Sequence, residues 1–558
     1  MNTQDLTQQE LARLSFLSRR SRGNFIDGAF REAHASKRIE VVDPASEMVV
    51  AETPDSDAED VNAAVASARR ALEDSAWSRM RPADRERILF RLSQLIEEHG
   101  DELSAMETLQ GGKLQGVARM IDVGFSAEFV RYMAGWATKL EGSTLQNSIP
   151  FPPGARYHTY TQREPVGVVA AVVPWNFPLA IALWKIAPAL AAGCTVVVKP
   201  SPETPLTALR LAALAMDAGL PAGVLNVVCG GGGTGAALCA HPGIDKISFT
   251  GSTPTGRAIG HAAVDHMTRF TLELGGKSPM IVLPDADPAA AAVGAAMGIF
   301  FNQGQVCAAS SLLYVHRSLF DKVVHDVARL AEGMRIGSGF DPASELGPLV
   351  SRRHFDRVMG FLDGARIAGA TALTGGKRAR DAGCFVQPTV LVDVNPTMQI
   401  VREEVFGPVL AAMPFDDVDD VIRQTNASPF GLTASVWTHD LERAKRVSRA
   451  LAAGGVSINN VMATEANPAL PFGGVKQSGF GRYKGEHGLH AFCNVKSVLI
   501  DKDSKKIEAN WYPYTAEKYR RFNALIDALF GSHGVKRLVR FAIAGLRLES
   551  YSNKAAKK

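Results

Sequence analysis

Residues 166–200, VGVVAAVVPWNFPLAIALWKIAPALAAGCTVVVKP, contain the pattern that decides the fold. The segment begins with a β-branched run, turns between Pro174 and Pro178, continues as a long apolar stretch, and reaches a second β-branched run after Gly193. Both runs lack polar alternation, which is typical of strands that are covered on both faces. The pattern therefore predicts a strand at 166–173, a helix at 178–192 and a parallel strand at 195–198.

The same alternation continues along the chain in both directions. Upstream, Ser56 or Asp57 can cap a helix whose apolar face extends from Val61 to Leu72. Downstream, the pattern predicts strands at 224–228, 246–250 and 280–283, a helix at 206–218, and another alternating region from about 275 to 475. Elements in this order predict an α/β fold of parallel sheets covered on both faces, in more than one domain.

The composition is typical of a folded globular chain. Of 558 residues, 46% are apolar and 21% are charged, which excludes a mostly disordered protein. The six cysteines include no CxxC pair, so we expect neither a disulfide scaffold nor a metal site. The N-terminus has no apolar run of signal-peptide length, and prolines interrupt the apolar stretch at 165–184, so we expect a cytoplasmic protein without a membrane span.

The charge is concentrated at the C-terminus. Between residues 504 and 558 there are 12 lysines or arginines and 4 acidic residues. Apolar residues recur there at helical spacing with cations between them, namely Val535, Leu538, Val539, Ala542 and Leu546. Trp511, Tyr512 and Tyr514 precede this segment. The pattern predicts an amphipathic helix that packs on the protein itself or on a partner subunit, with a membrane surface as the second interpretation and nucleic acid less favoured.

Three side chains in apolar or small-residue surroundings are candidates for catalysis. Cys307 in FFNQGQVCAAS (300–310) is either a small buried apolar side chain or a nucleophile with backbone donors and open space around it. Glu273 in LELGGKSP (272–279) is either ion-paired or held with a raised pKa for proton transfer. Asn176 either completes the turn or directs its amide at an oxyanion.

A G-x-G-x-x-G sequence follows the predicted strand at 224–228, with its glycines at Gly230, Gly232 and Gly235. A dinucleotide fingerprint also needs an acidic residue about 20 positions later. Asp245 is too near and Glu273 is too far. The loop is therefore either a weak dinucleotide signal or a flexible turn before a helix.

Taken together, the motifs resemble those of the aldehyde dehydrogenase superfamily. They occur in that family's order, and the likeness extends from about residue 24 to about residue 500. The motifs are PWNFP (174–178), VVVKPSPETP (196–205), FTGST (249–253), LELGGKSP (272–279), FFNQGQVCAAS (300–310), EEVFGP (403–408) and PFGGVKQSGFGR (471–482). Phrases such as RYMAGWATKLEGST (131–144) are most similar to the phenylacetaldehyde dehydrogenase branch.

The resemblance implies an aldehyde dehydrogenase-like fold of three parts, with homodimers or homotetramers as the assembly. The three parts are a Rossmann-like NAD(P)-binding domain, a catalytic α/β domain and a small β-extension for oligomerisation. An N-terminal segment precedes them and a basic C-terminal extension follows them. The expected boundaries are 1–23 for the N-terminal segment, 24–145 and 166–272 for cofactor binding, 273–480 for catalysis, 146–165 and 488–503 for oligomerisation, and 504–558 for the basic extension.

The resemblance also implies a reaction, the oxidation of an aldehyde to a carboxylic acid. Cys307 would attack the aldehyde to form a thiohemiacetal, whose oxyanion the Asn176 amide and the Cys307 backbone N–H would stabilise. Loss of hydride to the nicotinamide would leave a thioester, and Glu273 would activate water to hydrolyse it. The alternatives are a betaine-type or semialdehyde dehydrogenase, a CoA-acylating dehydrogenase, which generally lacks this glutamate, and a non-catalytic scaffold.

For the cofactor we expect NAD, with NADP as the alternative, because Pro202 stands where many NAD-preferring members have a glutamate and Glu203 is displaced by one position. The resemblance assigns the glycine loop at 230–235 to a turn of the cofactor domain. The residues expected at the cofactor are Trp175, Lys199, Ser201, Glu203, Ser252, Gly275, Glu404 and Phe406.

An aromatic aldehyde tunnel is also implied, which favours apolar or arylalkyl aldehydes over charged ones. Its expected walls are Phe177, Trp184, Phe301 and Phe472, any of which could instead be core packing. We expect a cytoplasmic enzyme, peripheral to a membrane if the C-terminal extension contacts lipid, and no nucleic-acid partner.

Overall fold

A computed structural model describes residues 3–147, 157–502, 507–531 and 534–557. The strands, numbered in chain order, are β1 (Asn24–Ile26), β2 (Ala29–Arg31), β3 (Arg38–Val42), β4 (Val49–Pro54), β5 (Thr144–Leu145), β6 (Tyr157–Pro165), β7 (Val168–Val172), β8 (Thr195–Lys199), β9 (Leu225–Val227), β10 (Lys246–Thr250), β11 (Arg269–Glu273), β12 (Pro279–Val282), β13 (Leu312–His316), β14 (Thr371–Thr374), β15 (Thr389–Val392), β16 (Val409–Phe415), β17 (Thr433–Trp437), β18 (Gly455–Ile458), β19 (Gly479–Phe480) and β20 (Cys493–Asp501).

The α-helices are numbered in the same way. They are α1 (Thr3–Arg13), α2 (Ala58–Asp74), α3 (Pro82–Glu98), α4 (Gly100–Gly111), α5 (Gln115–Val117), α6 (Ser126–Ala134), α7 (Pro178–Ala192), α8 (Leu206–Asp217), α9 (Gly232–Cys239), α10 (Thr253–Asp265), α11 (Pro288–Phe300), α12 (Arg317–Gly333), α13 (Arg352–Ile367), α14 (Gln399–Arg402), α15 (Val418–Asn426), α16 (Leu441–Ala450), α17 (Ala463–Ala466), α18 (Gly485–His490), α19 (Ala516–Phe530) and α20 (Val535–Ala555). A π-helical segment, Ala118–Phe125, joins α5 to α6.

Two compact units make up the chain, and the larger one contains residues 1–139 and 165–493. Its first sheet has the strand order β19-β11-β10-β7-β8-β9-β1-β2, and the strands from β11 to β9 are parallel. The elements expected around the opening motif are therefore confirmed, with β7, α7 and β8 in that order. Because the strands are parallel, Lys199, Thr250 and Glu273 lie together at the carboxyl edge of the sheet.

Helices cover this sheet, and α2 illustrates how the sequence places them. The Asp57 carboxylate accepts hydrogen bonds from the backbone of Glu59 and Asp60, and the Asp60 side chain accepts from the Asp57 N–H, which completes a capping box. Val61 on the same helix packs into the core beside strands β7 and β10. The predicted cap is thus confirmed at Asp57.

The second sheet of this unit lies between residues 279 and 458 and has the order β14-β15-β16-β13-β12-β17-β18. Only β14 pairs antiparallel among these described strands. Apolar clusters cover both faces, one with α13 and the other with α11 and α12. Residues 479 and 480 lie beyond this sheet and pair with β11 in the first one.

The smaller unit contains residues 140–164 and 494–558. Its sheet has the order β20-β6-β5, and helices α19 and α20 pack together over Ala509, Leu525 and Leu548. Within the predicted extension (146–165 and 488–503), the strands occupy 157–165 and 493–501, while residues 148–156 and 503 lie outside the described residues. The division into cofactor, catalytic and oligomerisation parts remains a prediction.

The predicted C-terminal helix exists as α20, but its predicted apolar face is not the one that packs on the chain. Phe541, Ala544 and Leu548 pack toward α19. The residues that the sequence pattern singled out are exposed, with exposed fractions of 77% for Val535, 66% for Leu538, 54% for Val539 and 63% for Leu546. Within the described residues this face is therefore not packed on the chain itself, and its packing on a partner subunit stays a prediction. No described helix is both long and apolar enough to cross a membrane.

A buried charged cluster joins several helices of the larger unit. The Lys113 ammonium donates to the Asp122 carboxylate at 2.8 and 2.9 Å and to Glu107 at 3.4 Å. The other Glu107 oxygen accepts from the Thr207 hydroxyl and the Leu179 N–H. Burial raises the pKa values of both carboxyl groups, and the lysine opposes that rise. Removing the cation would leave two carboxyl groups buried without a counter-charge.

We expect Lys113→Met to lower the free energy of unfolding by about 3–5 kcal/mol, because breaking a buried ion pair leaves an uncompensated charge. Chemical denaturation followed by circular dichroism measures this change. The control is Lys37→Met, because Lys37 makes an exposed pair with Asp55, whose loss costs about 1 kcal/mol or less. Equal, small effects of the two substitutions would contradict the buried role of Lys113.

Candidate active site

A cavity of about 1090 Å³ opens at the carboxyl edge of the first sheet. This edge is where ligands bind in open α/β sheets, because the loops and helix N-termini converge there. All the residues that the sequence predicted for a cofactor line this cavity, namely Trp175, Lys199, Ser201, Glu203, Ser252, Gly275, Glu404 and Phe406. The structure therefore brings together positions that are far apart in the sequence.

One end of the cavity carries charged and hydroxyl groups. Lys199 ends β8, is buried, and has a lowered pKa because burial disfavours its charge. The Glu203 carboxylate accepts from the Ser201 hydroxyl and from Arg353 on the rim at 2.8 Å. Although Glu203 is displaced by one position in the sequence, its carboxylate still reaches the cavity that Lys199 lines.

The N-terminus of α10 also faces this cavity, because Ser252, Pro254 and Thr255 line it. Ser252 is the N-cap of this helix, and its hydroxyl accepts from the Thr255 N–H. Backbone N–H groups at a helix N-terminus form an anion site. The glycine loop contributes as well, since Gly232 and Gly235 line the same cavity at the start of α9.

At the other end, Glu404 lies against a glycine pair. Its Oε1 accepts from the Gly276 N–H at 2.9 Å. A Cβ at Gly275 would lie 2.3 Å from the other carboxylate oxygen, so only glycine allows this approach. Burial raises the pKa of Glu404 to about 7. The carboxylate is thus held in place at a shielded position.

An aromatic cluster lies nearby, and the sequence analysis missed one of its members. The rings of Trp175 and Phe406 are perpendicular, with centroids 5.1 Å apart. His354 packs on both rings, and its Nε2 lies 2.7 Å from the Phe406 carbonyl oxygen. Burial lowers the pKa of His354 to about 4, so the ring is neutral near pH 7. Nothing in the local sequence of helix α13 indicated that His354 packs against the rings of Trp175 and Phe406.

A second, smaller cavity of about 290 Å³ is mostly apolar. All four predicted tunnel aromatics line it in two pairs. Phe177 and Phe301 are stacked with centroids 6.2 Å apart, and Trp184 and Phe472 are tilted at 5.5 Å. Cys307 lines this cavity and also the larger one. The sulfur-bearing residue therefore stands where the two cavities meet.

The loop that carries Cys307 has an unusual backbone. Asn302, Gln303 and Gly304 have φ angles of 47°, 57° and 70°, a left-handed region that costs energy for side chains other than glycine. The turn ends helix α11 abruptly and directs the next residues back toward the cavities. Burial raises the pKa of the Cys307 thiol, and the carboxylates of Glu404, Glu465 and Glu273 add to the rise, whereas the Ala308 N–H opposes it.

Asn176 both donates a hydrogen bond to this loop and accepts one from it. Its Nδ2 donates to the Gln305 carbonyl at 3.0 Å, while its backbone carbonyl accepts from Lys113 at 2.9 Å and from Asn302 at 3.2 Å. An amide nitrogen has two hydrogens, so one remains for a ligand in the large cavity that Asn176 lines. The buried lysine thus positions an amide donor beside the segment that leads to Cys307.

Glu273 is placed differently from the other predicted catalytic residues. The described residues that line the two cavities do not include it. It ends β11, and a Cβ at Gly473 would lie 2.5 Å from its Oε1. Burial raises the pKa of Glu273 well above its usual range, against the opposing charges of Lys185 and Arg482. Its carboxylate remains close enough to raise the pKa of the Cys307 thiol.

The sequence analysis missed the buried groups beside Glu273. The Lys185 ammonium donates to the Thr250 hydroxyl at 2.8 Å and to the Tyr483 hydroxyl at 2.6 Å. The Tyr483 hydroxyl also bonds to Ser248 at 2.7 Å. Lys185 is a lone cation within the apolar helix α7, and that isolation was a signal that could have identified it.

The chain was compared with known proteins. A model of the aldehyde dehydrogenase family matches residues 30–498. The chain is 51% identical over 478 residues to the phenylacetaldehyde dehydrogenase of Pseudomonas fluorescens, a match that covers 85% of this chain and 95% of that protein. It superposes with a TM-score of 0.85 on the NAD⁺ complex of a Bacillus cereus aldehyde dehydrogenase, at 43% identity and with coverage of 88% and 98%.

A further structural neighbour is a mutant of the P. syringae indole-3-acetaldehyde dehydrogenase AldA, in complex with NAD⁺ and IAA. It has a TM-score of 0.85 and 39% identity, and the match covers 89% of this chain and 99% of that one. In these comparisons the relatives are matched almost completely, whereas a tenth or more of this chain remains outside the match. The family model ends at residue 498, so the basic C-terminal segment lies beyond it.

We expect Cys307 to be the first cysteine that iodoacetamide modifies, because the other five are buried. The raised thiol pKa means that the thiolate fraction is small at pH 7 and increases as the pH rises. The alkylation rate should therefore still be rising between about pH 7 and pH 9. Peptide mass spectrometry after timed quenching measures it. A rate that is already constant from pH 7 upward would contradict the raised pKa.

Proposed function

The chain belongs to the aldehyde dehydrogenase family, and we propose that it uses NAD to oxidise an apolar or arylalkyl aldehyde, such as phenylacetaldehyde, to the carboxylic acid. It is an oxidoreductase that acts on aldehydes. The observation that carries the proposal is the position of Cys307, which lines both the large polar cavity and the small aromatic one. A nucleophile there can meet a cofactor from one side and an aldehyde from the other.

The large cavity fits NAD by its donor and acceptor set. Lys199 and Glu203 would hold the adenosine ribose, the N-terminus of α10 with Ser252 would face the pyrophosphate, and Glu404 would bind the nicotinamide ribose. Phe406 and Trp175 would lie beside the nicotinamide. The Glu203 carboxylate supports NAD over NADP, because it would repel a 2′-phosphate, while Arg353 on the rim leaves NADP as the lesser alternative.

In the first step the Cys307 thiol loses its proton to solvent, and we assign the resulting thiolate as the nucleophile that forms a bond to the aldehyde carbon. The carbonyl oxygen becomes an oxyanion, and the free Asn176 N–H and the Cys307 backbone N–H would donate to it. Losing one such donor costs about 3–4 kcal/mol of transition-state stabilisation. Lys113 and Asn302, which hold the Asn176 carbonyl, fix the amide before the substrate arrives.

Bound NAD would supply a hydride acceptor. The tetrahedral carbon on Cys307 would lose hydride to it and become a thioester carbonyl. We assign Glu273 as the base that removes a proton from water as the water attacks this thioester. The sulfur then leaves as a thiolate and the acid is released. Because Glu273 lines neither cavity among the described residues, its side chain must rotate or act through an intervening water. Its raised pKa makes hydrolysis faster as the pH rises.

The aromatic cavity supports an arylalkyl substrate. Its paired rings, Phe177 with Phe301 and Trp184 with Phe472, offer faces for stacking close to the sulfur. A CoA-acylating enzyme is less consistent with this chain, because a carboxylate that activates water competes with thiol transfer. The similar phenylacetaldehyde dehydrogenase of P. fluorescens supports the same substrate class.

We expect Cys307→Ala to abolish NADH formation from phenylacetaldehyde, because no thioester can form. Glu273→Gln should release about one equivalent of NADH per active site and then stall, since acylation proceeds while hydrolysis does not. Stopped-flow absorbance at the NADH band, without CoA, measures both. Cys384→Ala, at a buried cysteine away from the cavities, serves as the control. Steady turnover by Glu273→Gln would remove the glutamate from hydrolysis.

Proteins of this family are usually oligomers, and we propose a homodimer or homotetramer formed through the sheet of strands β5, β6 and β20. Val495, Leu499 and Ile500 on β20 are large apolar residues that are exposed in the single chain. Covering them would remove apolar surface from water. We also propose that the enzyme is cytoplasmic.

We further propose that helix α20 binds the surface of an anionic membrane. The apolar stripe (Val535, Leu538, Val539, Ala542 and Leu546) is exposed, and the cations Lys536, Arg537, Arg540 and Arg547 flank it. None of these four cations forms an ion pair within the part of the chain that the structure describes. An exposed apolar stripe with a basic border is complementary to an anionic lipid surface. The matches cover 95% and 98% of two relatives and leave out a tenth or more of this chain, and the family model ends before this segment.

We expect the full-length protein to sediment with vesicles that contain anionic lipid and not with purely zwitterionic vesicles, and to dissociate as salt is raised. The double variant Leu538→Glu/Leu546→Glu should lose this binding. Ile367→Glu is the control, because Ile367 is an isolated exposed residue on α13. Unchanged vesicle binding by the double variant would contradict the proposal. A change in the oligomeric state of the double variant would also contradict it, because this would indicate that the stripe is a subunit interface.

A further inference from the structure

Two polar side-chain atoms at the aromatic cavity have no hydrogen-bond partner among the described residues. Ser126 begins helix α6 and Glu465 lies in α17, and both line the cavity that contains Cys307. The Ser126 hydroxyl oxygen and Glu465 Oε1 are buried, and neither has a partner among the residues of the described ranges. A buried polar atom without a partner costs about 1–3 kcal/mol. Two such atoms in one ligand cavity therefore require a common explanation.

The neighbouring lysine does not satisfy the carboxylate. Lys484 also lines the cavity, but its ammonium donates to the backbone carbonyls of Thr464 at 3.0 Å and Glu465 at 2.7 Å. It also lies 5.1 Å from the ring of Trp184. The second Glu465 oxygen accepts from the adjacent Thr464 hydroxyl at 3.3 Å. Burial raises the pKa of the Glu465 carboxyl, and the Glu465 backbone N–H, the Lys484 charge and the Thr464 hydroxyl oppose that rise. Oε1 therefore remains available to a donor inside the cavity.

The charges restrict what this donor can be. A cationic amine would approach the Lys484 ammonium and would lose its hydration in an aromatic cavity, and a carboxylate would be repelled by Glu465. A neutral hydroxyl avoids both penalties. A phenolic O–H can donate to an acceptor such as Glu465 Oε1 and can accept from a donor such as the Ser126 hydroxyl, so its hydrogen-bonding chemistry matches both unpartnered atoms.

We propose that Glu465, with Ser126, selects arylalkyl aldehydes that carry a hydroxyl group on the ring, a specificity that rests on the proposed oxidation of arylalkyl aldehydes at Cys307. The aldehyde carbon lies at the sulfur, the ring lies between the aromatic walls, and the ring hydroxyl bonds to Glu465. Phenylacetaldehyde itself would leave the carboxylate unsatisfied. The hydroxylated substrate is thus favoured by the bond that it alone can make.

The test compares kcat/KM for 4-hydroxyphenylacetaldehyde and 3-hydroxyphenylacetaldehyde with kcat/KM for phenylacetaldehyde, each with NAD. We expect the wild-type protein to prefer at least one hydroxylated aldehyde, and Glu465→Leu to reduce that preference by about 10- to 100-fold, the worth of a hydrogen bond to a charged group. Glu465→Gln, which keeps an acceptor oxygen, should retain part of the preference. Ser126→Ala should reduce it less than Glu465→Leu.

The ratio of the two kcat/KM values separates specificity from general damage, because a purely structural role for Glu465 would lower both values together and leave the ratio unchanged. Glu332→Leu, at an exposed glutamate on α12, is the matched control and should keep the wild-type ratio. Oxidation of phenylacetaldehyde without any preference for the hydroxylated aldehydes would overturn this inference alone. Failure to oxidise any of the three would instead contradict the proposed function.

Discussion

The buried ammonium of Lys113 is the interaction on which the active-site arrangement depends. It donates to the buried carboxyl groups of Asp122 and Glu107, and it also donates to the carbonyl of Asn176. Asn176 in turn donates to Gln305, which precedes Cys307 on the same loop. The buried charge network around Lys113 thus holds Asn176 against the loop that carries Cys307. Because the network is buried and satisfied, the donor is in place before a substrate binds.

The large cavity is polar and the small cavity is mostly apolar, so the two cavities suit different ligands. The large cavity offers Lys199, the N-terminus of α10 and Glu404, which suit a charged dinucleotide, while the small one offers paired aromatic rings, which suit an arylalkyl group. Cys307 is common to both. A carbonyl at the sulfur would therefore have its apolar substituent on one side and a hydride acceptor on the other. The few polar groups in the small cavity, Ser126, Glu465 and Lys484, are those to which we assign a part in specificity.

The sequence predicted most of the fold and many of the residues around the cavities. The continuous β-branched runs predicted the parallel strands. The family resemblance identified the cofactor and aromatic positions that line the two cavities, although Glu273 does not line either of them. The sequence could not predict contacts between side chains that are far apart in the chain and close together in the fold. The pairing of Lys113 with Asp122, the Lys185–Tyr483 contact beside Glu273 and the packing of His354 on Trp175 join segments whose local sequences are ordinary. The apolar face of α20 was visible in the sequence, but only the structure shows that it is left exposed.

The proposed oxidation requires the aldehyde carbon to become covalently attached to the sulfur of Cys307. The most direct measurement is peptide mass spectrometry of the Glu273→Gln protein, quenched in acid after incubation with NAD and phenylacetaldehyde. We expect a phenylacetyl adduct on the peptide that contains Cys307, in an amount close to the number of active sites. NADH formation with the adduct on a different residue, or with no adduct at all, would contradict it.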